Sequence, residues 1–299
     1  MTSSREVAEA AIKQSKARAL SPAVVWGISW GIDGLDNVTH GILPARMNVL
    51  VSRPNVGKSA FAGSLLISVA QEFLMDDSDR RVKLFTFEMS AQSVQHRLAC
   101  QLADVSMNRI DTGFASPEQL VAYERAQLLL ADLPIEYYDR TMSMAEIASE
   151  VREPNTGFWV LDHLRKVKDV SVAQNPYQAL NEVIAKITGL TQQEGHSGLI
   201  ITHQNRSKQN AVDKRADLES IAGSDQAGQD ADLLLALYRD DVGKYATEAE
   251  RDMPKPGELL VVKNRHGAAA FGIDMIFLPK KAKWIEKSKF KQVLKTGAV

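Results

Sequence analysis

Cysteine is almost absent from this chain: Cys100 is the only one in 299 residues. A lone thiol excludes an internal disulfide and any metal site assembled from several cysteines. Long apolar runs are missing too. None approaches the roughly 18 residues a helix needs to cross a bilayer, so no membrane partner is expected. The first 18 residues hold Glu6, Glu9 and several Lys and Arg without an apolar stretch. They do not read as a secretory signal, and a cytoplasmic location is the expectation. An excess of charge of one sign is also lacking, because 36 Lys and Arg face 37 Asp and Glu for a net charge of -1. A nucleic-acid binder often shows a basic excess. Any such contact here must come from a local patch or from residues gathered around a ring.

What is present is ordinary globular material, 44% hydrophobic and 24% charged, enough for one large core. Residues 5–20 have helical composition with only a thin apolar stripe through Val7, Ala11, Ile12 and Leu20. They form either an arm that packs on a partner or a solvated, fraying terminus. From Met47 onward, β-rich runs at 47–51, 82–87, 158–161, 199–202, 233–237, 258–263 and 271–278 alternate with helical patterns at 60–73, 91–103, 117–131, 144–151 and 177–194. Continuous apolar strands separated by helices predict a mostly parallel α/β sheet covered on both faces. The last two strands have no helix between them and predict an appended antiparallel hairpin. Residues 240–256 are polar with two prolines and read as a loop, and residues 289–299 read as a basic tail.

Chemistry concentrates first at Ser52-Arg53-Pro54-Asn55-Val56-Gly57-Lys58-Ser59, between a strand and a helix. In a P-loop, successive backbone N–H groups and the positive end of the helix dipole face the phosphates. Lys58 neutralises β/γ-phosphate charge and Ser59 ligates Mg²⁺, so ATP and Mg²⁺ are the expected cofactors. The strict pattern wants Gly where Ser52 stands. Such a loop needs carboxylates at the C-terminal ends of neighbouring strands. Glu88 and Asp162 each follow an apolar run, although Asp162 could alternatively cap a helix. Gln204 follows the next strand and either senses the γ-phosphate or occupies a turn. Lys263 and Arg265 sit two apart beside Gly267, as an arginine finger requires, or else are surface charge.

In this order the segments resemble the C-terminal ATPase domain of the DnaB-type replicative helicases, a RecA-like fold, over residues 26–290. Trp30-Gly31-Ile32-Asp33-Gly34-Leu35-Asp36 is similar to the family's lead-in. The loop is close to the family form Ala-Arg-Pro-x-x-Gly-Lys-Thr/Ser, which also lacks the first Gly. Phe87-Glu88-Met89-Ser90 is similar to the strand end with the catalytic glutamate, and Leu161-Asp162-His163-Leu164 to Walker B, usually Ile-Asp-Tyr-Leu-Gln. Gln204-Asn205-Arg206-Ser207 is one residue short of Ser-Gln-Leu-Asn-Arg-Ser. Gln229-Asp230-Ala231-Asp232 with Tyr238-Arg239-Asp240, and Lys263-Asn264-Arg265-His266-Gly267, complete the set.

The resemblance implies an ATP-hydrolysing DNA helicase of RecA-like P-loop fold: an arm (residues 1–22), the ATPase (23–288) and the tail. It implies a homo-oligomeric ring, a hexamer, on single-stranded DNA, with Lys263 and Arg265 offered to a neighbour's ATP. Primase, other replisome proteins or a loader are the implied partners, in a bacterial or phage-infected cell. Channel-lining candidates are Lys166, Lys168, Arg206, Lys208, Lys214, Arg215, Gly223, Ser224 and Asp225, with a solvated loop the alternative for the lysines. Two departures bear on strand contact. The family's Arg-Glu-Ser-Gly loop falls on Ala222-Gly223-Ser224-Asp225 without its arginine, and Arg165 replaces the Gln after Walker B. No counterpart of the N-terminal collar is found, which is the expectation of a standalone, phage-like form. A recombinase-like filament and a non-motor replisome adaptor or helicase regulator are the competing readings.

Overall fold

A computed structural model describes residues 3–20, 25–203, 226–242 and 247–290. Among these, nine strands form one sheet. Its order is β3 (Ile135–Tyr138), β2 (Arg81–Thr86), β4 (Thr156–Asp162), β5 (Ser197–His203), β1 (Met47–Ser52), β6 (Leu233–Tyr238), β7 (Lys255–Asn264), β8 (Phe271–Leu278) and β9 (Lys283–Glu286). The first six run parallel. The last three are antiparallel additions.

Alternate residues of each parallel strand feed two cores, which is why these strands read as unbroken apolar runs. On one face Leu50, Leu84, Val160 and Ile201 pack against Phe61, Leu65, Val69 and Phe73 of α3 (Lys58–Met75). Helices α4 (Ala91–Ala103) and α6 (Pro117–Ala131) complete that layer through Leu98, Ala99, Ala126 and Leu130. On the other face Val49, Val51, Leu161 and Ile200 meet Ile147 and Val151 of α7 (Met144–Val151) and Leu180, Ile184 and Ile187 of α9 (Pro176–Glu194). Shorter helices are α2 (Asp33–Thr39), α5 (Met107–Asp111) and α8 (Lys168–Ser171). Both α6 and α7 start on capping boxes, Ser116 with Gln119 and Ser143 with Glu146, each satisfying two otherwise orphaned N–H groups. Gly198 on β5 leaves room for Trp159, whose ring would lie 2.0 Å from an added Cβ.

Several expectations need correction. Residues 248–252 are a helix, Glu248–Asp252, inside the stretch read as a loop. Strand β7 starts at Lys255 and contains Pro256. Its pairing with β6 ends at Glu258, so Pro256 pairs only with β8, and its missing N–H falls where β7 has outrun its other neighbour. The appended hairpin has a third strand, β9. Residues 287–290 are helical. The N-terminal helix α1 (Ser4–Leu20) is present, with Ile12 and Leu20 exposed, and Arg18 lies over the Trp26 ring at 5.5 Å.

Candidate active site

The phosphate loop connects the buried end of β1 to the start of α3, at the C-terminal edge of the parallel strands. Two residues take positive φ, Asn55 at 62° and Gly57 at 114°. A side chain at 57 would meet Trp284 Nε1 at 2.9 Å and Phe277 at 3.1 Å, so glycine is required by both backbone and neighbours. The loop is braced from the antiparallel side. Trp284 Nε1 donates to Gly57 O at 3.1 Å, and Arg239 donates to Val56 O at 3.2 Å. Arg239 is itself buried, stacked over Phe277 at 4.3 Å and paired through two nitrogens with Asp241 at 3.0 Å each. Its carbonyl accepts from Arg53 at 3.4 Å. Val56 is buried, whereas Pro54 and Asn55 are exposed.

Lys58 and Ser59 open α3 and point at the ends of β4 and β5. The Lys58 ammonium donates to Ser52 O and Oγ, each at 3.2 Å, and to His203 Nδ1 at 3.0 Å. Burial lowers its pKa to about 8, against the opposing pull of Asp162 and Glu88. The Ser59 hydroxyl donates to Asp162 Oδ2 at 3.1 Å. Burial raises the Asp162 pKa; the Ser59 hydrogen bond, Lys58 and Arg97 oppose the rise, and Glu88 adds to it. Arg97 of α4 lines a small cleft with Ser59, Thr86, Met89 and Asp162, and its buried Nε has no hydrogen-bond partner among the described residues. Glu88 lies two residues beyond β2, 40% exposed, with Oε1 at 3.2 Å from His163 Nε2. A hydroxyl and a desolvated carboxylate in contact, beside a buried ammonium, suit a hard divalent cation and polyphosphate. Mg²⁺ and a nucleotide fit this donor set.

Lys263 and Arg265 lie elsewhere. Asn264 pairs with Leu233, which pairs with Asn48 at the start of β1, so both cations sit at the N-terminal edge of the parallel strands. The four-residue step from Asn48 to Ser52 separates them from the phosphate loop by about 13 Å of strand. There Lys263 Nζ donates to Gln229 O at 2.6 Å, and Arg265 donates to the same carbonyl at 3.3 Å and to Asp232 at 3.4 Å. Asp232 also accepts from the Met47 N–H at 3.0 Å and pairs with Arg46 at 3.7 Å. Burial, then the adjacent Arg265, lowers the Lys263 pKa.

A family model described as DnaB-like helicase C terminal domain matches residues 27–286. The chain belongs to the DnaB-like helicase C-terminal domain family. Among curated relatives of this DnaB-like chain, the replicative DNA helicase DnaB of Geobacillus stearothermophilus is 28% identical over 250 residues, 81% of this chain and 53% of that protein. The replicative DNA helicase DnaC of Bacillus subtilis is 26% identical over the same shares. The chain thus spans about half the length of these curated relatives. In three dimensions a solved ATPase domain superposes with a TM-score of 0.82 at 20% identity, covering 94% of this chain and 98% of its own. A DnaB-like replicative helicase solved with its primase interactions gives 0.80 at 20% identity, with 93% and 66% covered. The fold is RecA-like.

Within this DnaB-like domain, Lys58, Ser59, Glu88 and Asp162 come together, while Lys263 and Arg265 are at the opposite edge. Lys166 and Lys168 are exposed just past β4, on the phosphate-loop side. Gln204, Arg206, Lys208, Lys214, Arg215, Gly223, Ser224 and Asp225 lie outside the described residues. Sequence reasoning missed Arg97 and Trp284. Arg97 carried a signal, a lone cation at helical spacing between Val94 and Leu98, both packed in the core. The bracing role of Trp284 depends on the chain returning across the sheet, and no local pattern encodes it.

Proposed function

We propose that this chain is the motor part of a ring-shaped replicative DNA helicase. Copies of it hydrolyse ATP between them, move along single-stranded DNA and unwind duplex. The observation that carries the reading is the separation just described. Lys58, Ser59, Glu88 and Asp162 occupy one edge of the sheet, and the Lys263–Arg265 pair occupies the other. A neighbouring copy in a hexameric ring supplies the pair that one copy cannot bring to its own phosphates.

In this reading Lys58 leaves Ser52 and His203 to neutralise phosphate charge, as do the backbone N–H groups at the start of α3. Ser59 and Asp162 hold Mg²⁺, which when bound screens the phosphates for attack. Glu88 polarises the attacking water, Gln204 orients the γ-phosphate end, and the neighbour's Arg265 and Lys263 stabilise transition-state charge. Lys166 and Lys168, with Arg206, Lys208, Lys214, Arg215, Gly223, Ser224 and Asp225, follow the DNA backbone; the ring multiplies weak contacts and offsets a net charge of -1. Helix α1, with its exposed Ile12 and Leu20, packs on an adjacent copy. One solved neighbour is described with its primase, and a primase or loader is the partner class proposed here.

The test is ATP turnover and fork unwinding with and without single-stranded DNA, for wild type, Lys58→Ala, Arg265→Ala and a mixture of the two variants. DNA-stimulated turnover with strand displacement is expected. Each variant alone is inactive, and the mixture regains part of the rate because some interfaces keep both intact halves. Turnover without strand displacement supports the adaptor or recombinase-like reading instead. Full activity of Arg265→Ala rejects the shared site.

A further inference from the structure

Two histidines stand between the Glu88 carboxylate and the Lys58 ammonium. His163 directly follows β4 and His203 closes the adjacent β5. Their rings meet edge to face with centroids 4.9 Å apart. The two nitrogens of His163 have different tasks. The backbone N–H of Arg165 donates to Nδ1 at 3.1 Å. An amide N–H only donates, so Nδ1 carries the lone pair and the neutral ring carries its proton on Nε2. That Nε2 is 3.2 Å from Glu88 Oε1. His203 is fixed in the same tautomer, because the Lys58 ammonium donates to its Nδ1 at 3.0 Å. Burial, followed by Lys58, lowers each histidine's pKa.

Ligand-type atoms of Glu88, His163 and His203 lie within 4.8 Å of one another, which raises the question of a transition metal. A metal takes an imidazole lone pair. On His163 that lone pair is at Nδ1 and already accepts from Arg165, while Nε2 presents a proton to Glu88. The geometry is that of a donor gripping a carboxylate, not of a ligand set.

We infer that His163 is a positioning residue for Glu88, its Nε2–H holding one carboxylate oxygen so that the other faces the attacking water. The inference rests on the proposed role of Glu88 in ATP hydrolysis. Glu88 stands on a half-exposed turn past the strand, with rotatable bonds that nothing in its own loop fixes. Among the described residues, His163 is the one side chain within ion-pair distance of it, at 3.2 Å. An N–H facing one carboxylate oxygen orients the group and leaves the other oxygen free for water. Held this way, Glu88 avoids part of the ordering cost at the moment of reaction.

Steady-state ATPase with single-stranded DNA, melting temperature and binding of a fluorescent ATP analogue test this on four variants. His163→Asn places an amide where Nδ1 was and ends short of Glu88. His163→Gln puts its terminal NH₂ near the Nε2 position. His163→Phe fills the space without a donor, and Glu88→Gln is the reference. His163→Asn and His163→Phe lower kcat about 10- to 100-fold with KM and analogue affinity within about twofold, and His163→Gln recovers most of that loss. Should Asn misfold, the Gln–Phe comparison carries the test. Wild-type kcat in His163→Phe overturns the inference, as does an equal loss in Gln and Phe at equal melting temperature. Inhibition by micromolar Zn²⁺ that His163→Phe relieves would overturn it in favour of a metal site. If Glu88→Gln itself turns over normally, it is the role of Glu88 that falls; if Glu88→Gln is dead and His163→Phe normal, only the positioning role does.

Discussion

The indole N–H of Trp284, on the last strand of the sheet, donates to the carbonyl of Gly57 at the mouth of the phosphate loop, 3.1 Å away. Residues 227 apart in sequence are thereby joined at the point where the loop turns into α3. The same indole packs against Phe277, centroids 5.1 Å apart and ring planes tilted by 47°, so it is held beside the loop by contact as well as by the hydrogen bond. Trp284→Phe keeps the contact and removes the indole hydrogen bond, leaving the Gly57 carbonyl the Phe61 N–H alone at 3.0 Å. The expected cost is about 1 kcal/mol of stability and a several-fold rise in KM for ATP with little change in kcat, read from melting curves and steady-state ATPase.

Gly57→Ala is expected to be more severe. Its Cβ would sit 2.9 Å from Trp284 Nε1, on a backbone at φ 114° that side chains rarely adopt. Loss of nucleotide binding in a protein that retains its far-UV circular dichroism is the expected outcome, and near-normal affinity would contradict the described loop.

Lys58 gives a pH dependence with a definite sign. Its folded-state pKa is lowered to about 8 from 10.5. Below about pH 8 the folded and unfolded states are both protonated there, and the folded state carries the cost of the buried charge. Between 8 and 10.5 the unfolded state binds the extra proton, so stability attributable to this group rises with pH. Denaturant melts of wild type should therefore gain on Lys58→Met as pH rises through that window. Activity moves the other way: kcat/KM for ATP falls above about pH 8 as the free protein loses the Lys58 charge, while saturating phosphate holds the proton on and kcat follows more weakly.

Lys83 is fully buried on β2, yet its ammonium reaches Glu153 at 2.7 Å and Glu136 at 3.6 Å, and donates to Glu150 O at 2.7 Å. Removing it leaves Glu153 without its 2.7 Å partner, while Glu136 keeps Arg81 at 3.4 Å. Lys83→Ala should cost about 3 kcal/mol and lower the melting temperature by several degrees, with ATP turnover unchanged at low temperature. An unshifted melting temperature would show that the cluster is inert.

The parallel half of the sheet was legible because burial on both faces leaves an apolar run that needs no partner to be recognised. Strand β3 was not, since Ile135–Tyr138 is four half-buried residues at the sheet edge. Strand β9 was missed for a similar reason, its four residues including Lys283 and Glu286. Pro256 was read as a loop marker because the exposed flank it occupies follows from pairing, not from sequence. At the site, Lys58, Ser59, Glu88 and Asp162 announced themselves by their position after strands. Arg239 and Trp284 did not announce their bracing contacts, because these form only when the antiparallel strands return to the loop.

The reversal of direction at β7 has a consequence for assembly. It carries Lys263 and Arg265 to the pole opposite the phosphate loop, so the two faces that the proposed shared site brings together are different surfaces of one molecule. A two-fold pair would match neither loop with a finger. If each loop is to find one, the contact is heterologous: it repeats indefinitely as a helical filament, or closes only when the rotation per copy divides a full turn. Subunit number is then a matter of one angle, and small changes at either pole could convert a closed ring into a lock-washer with a free end.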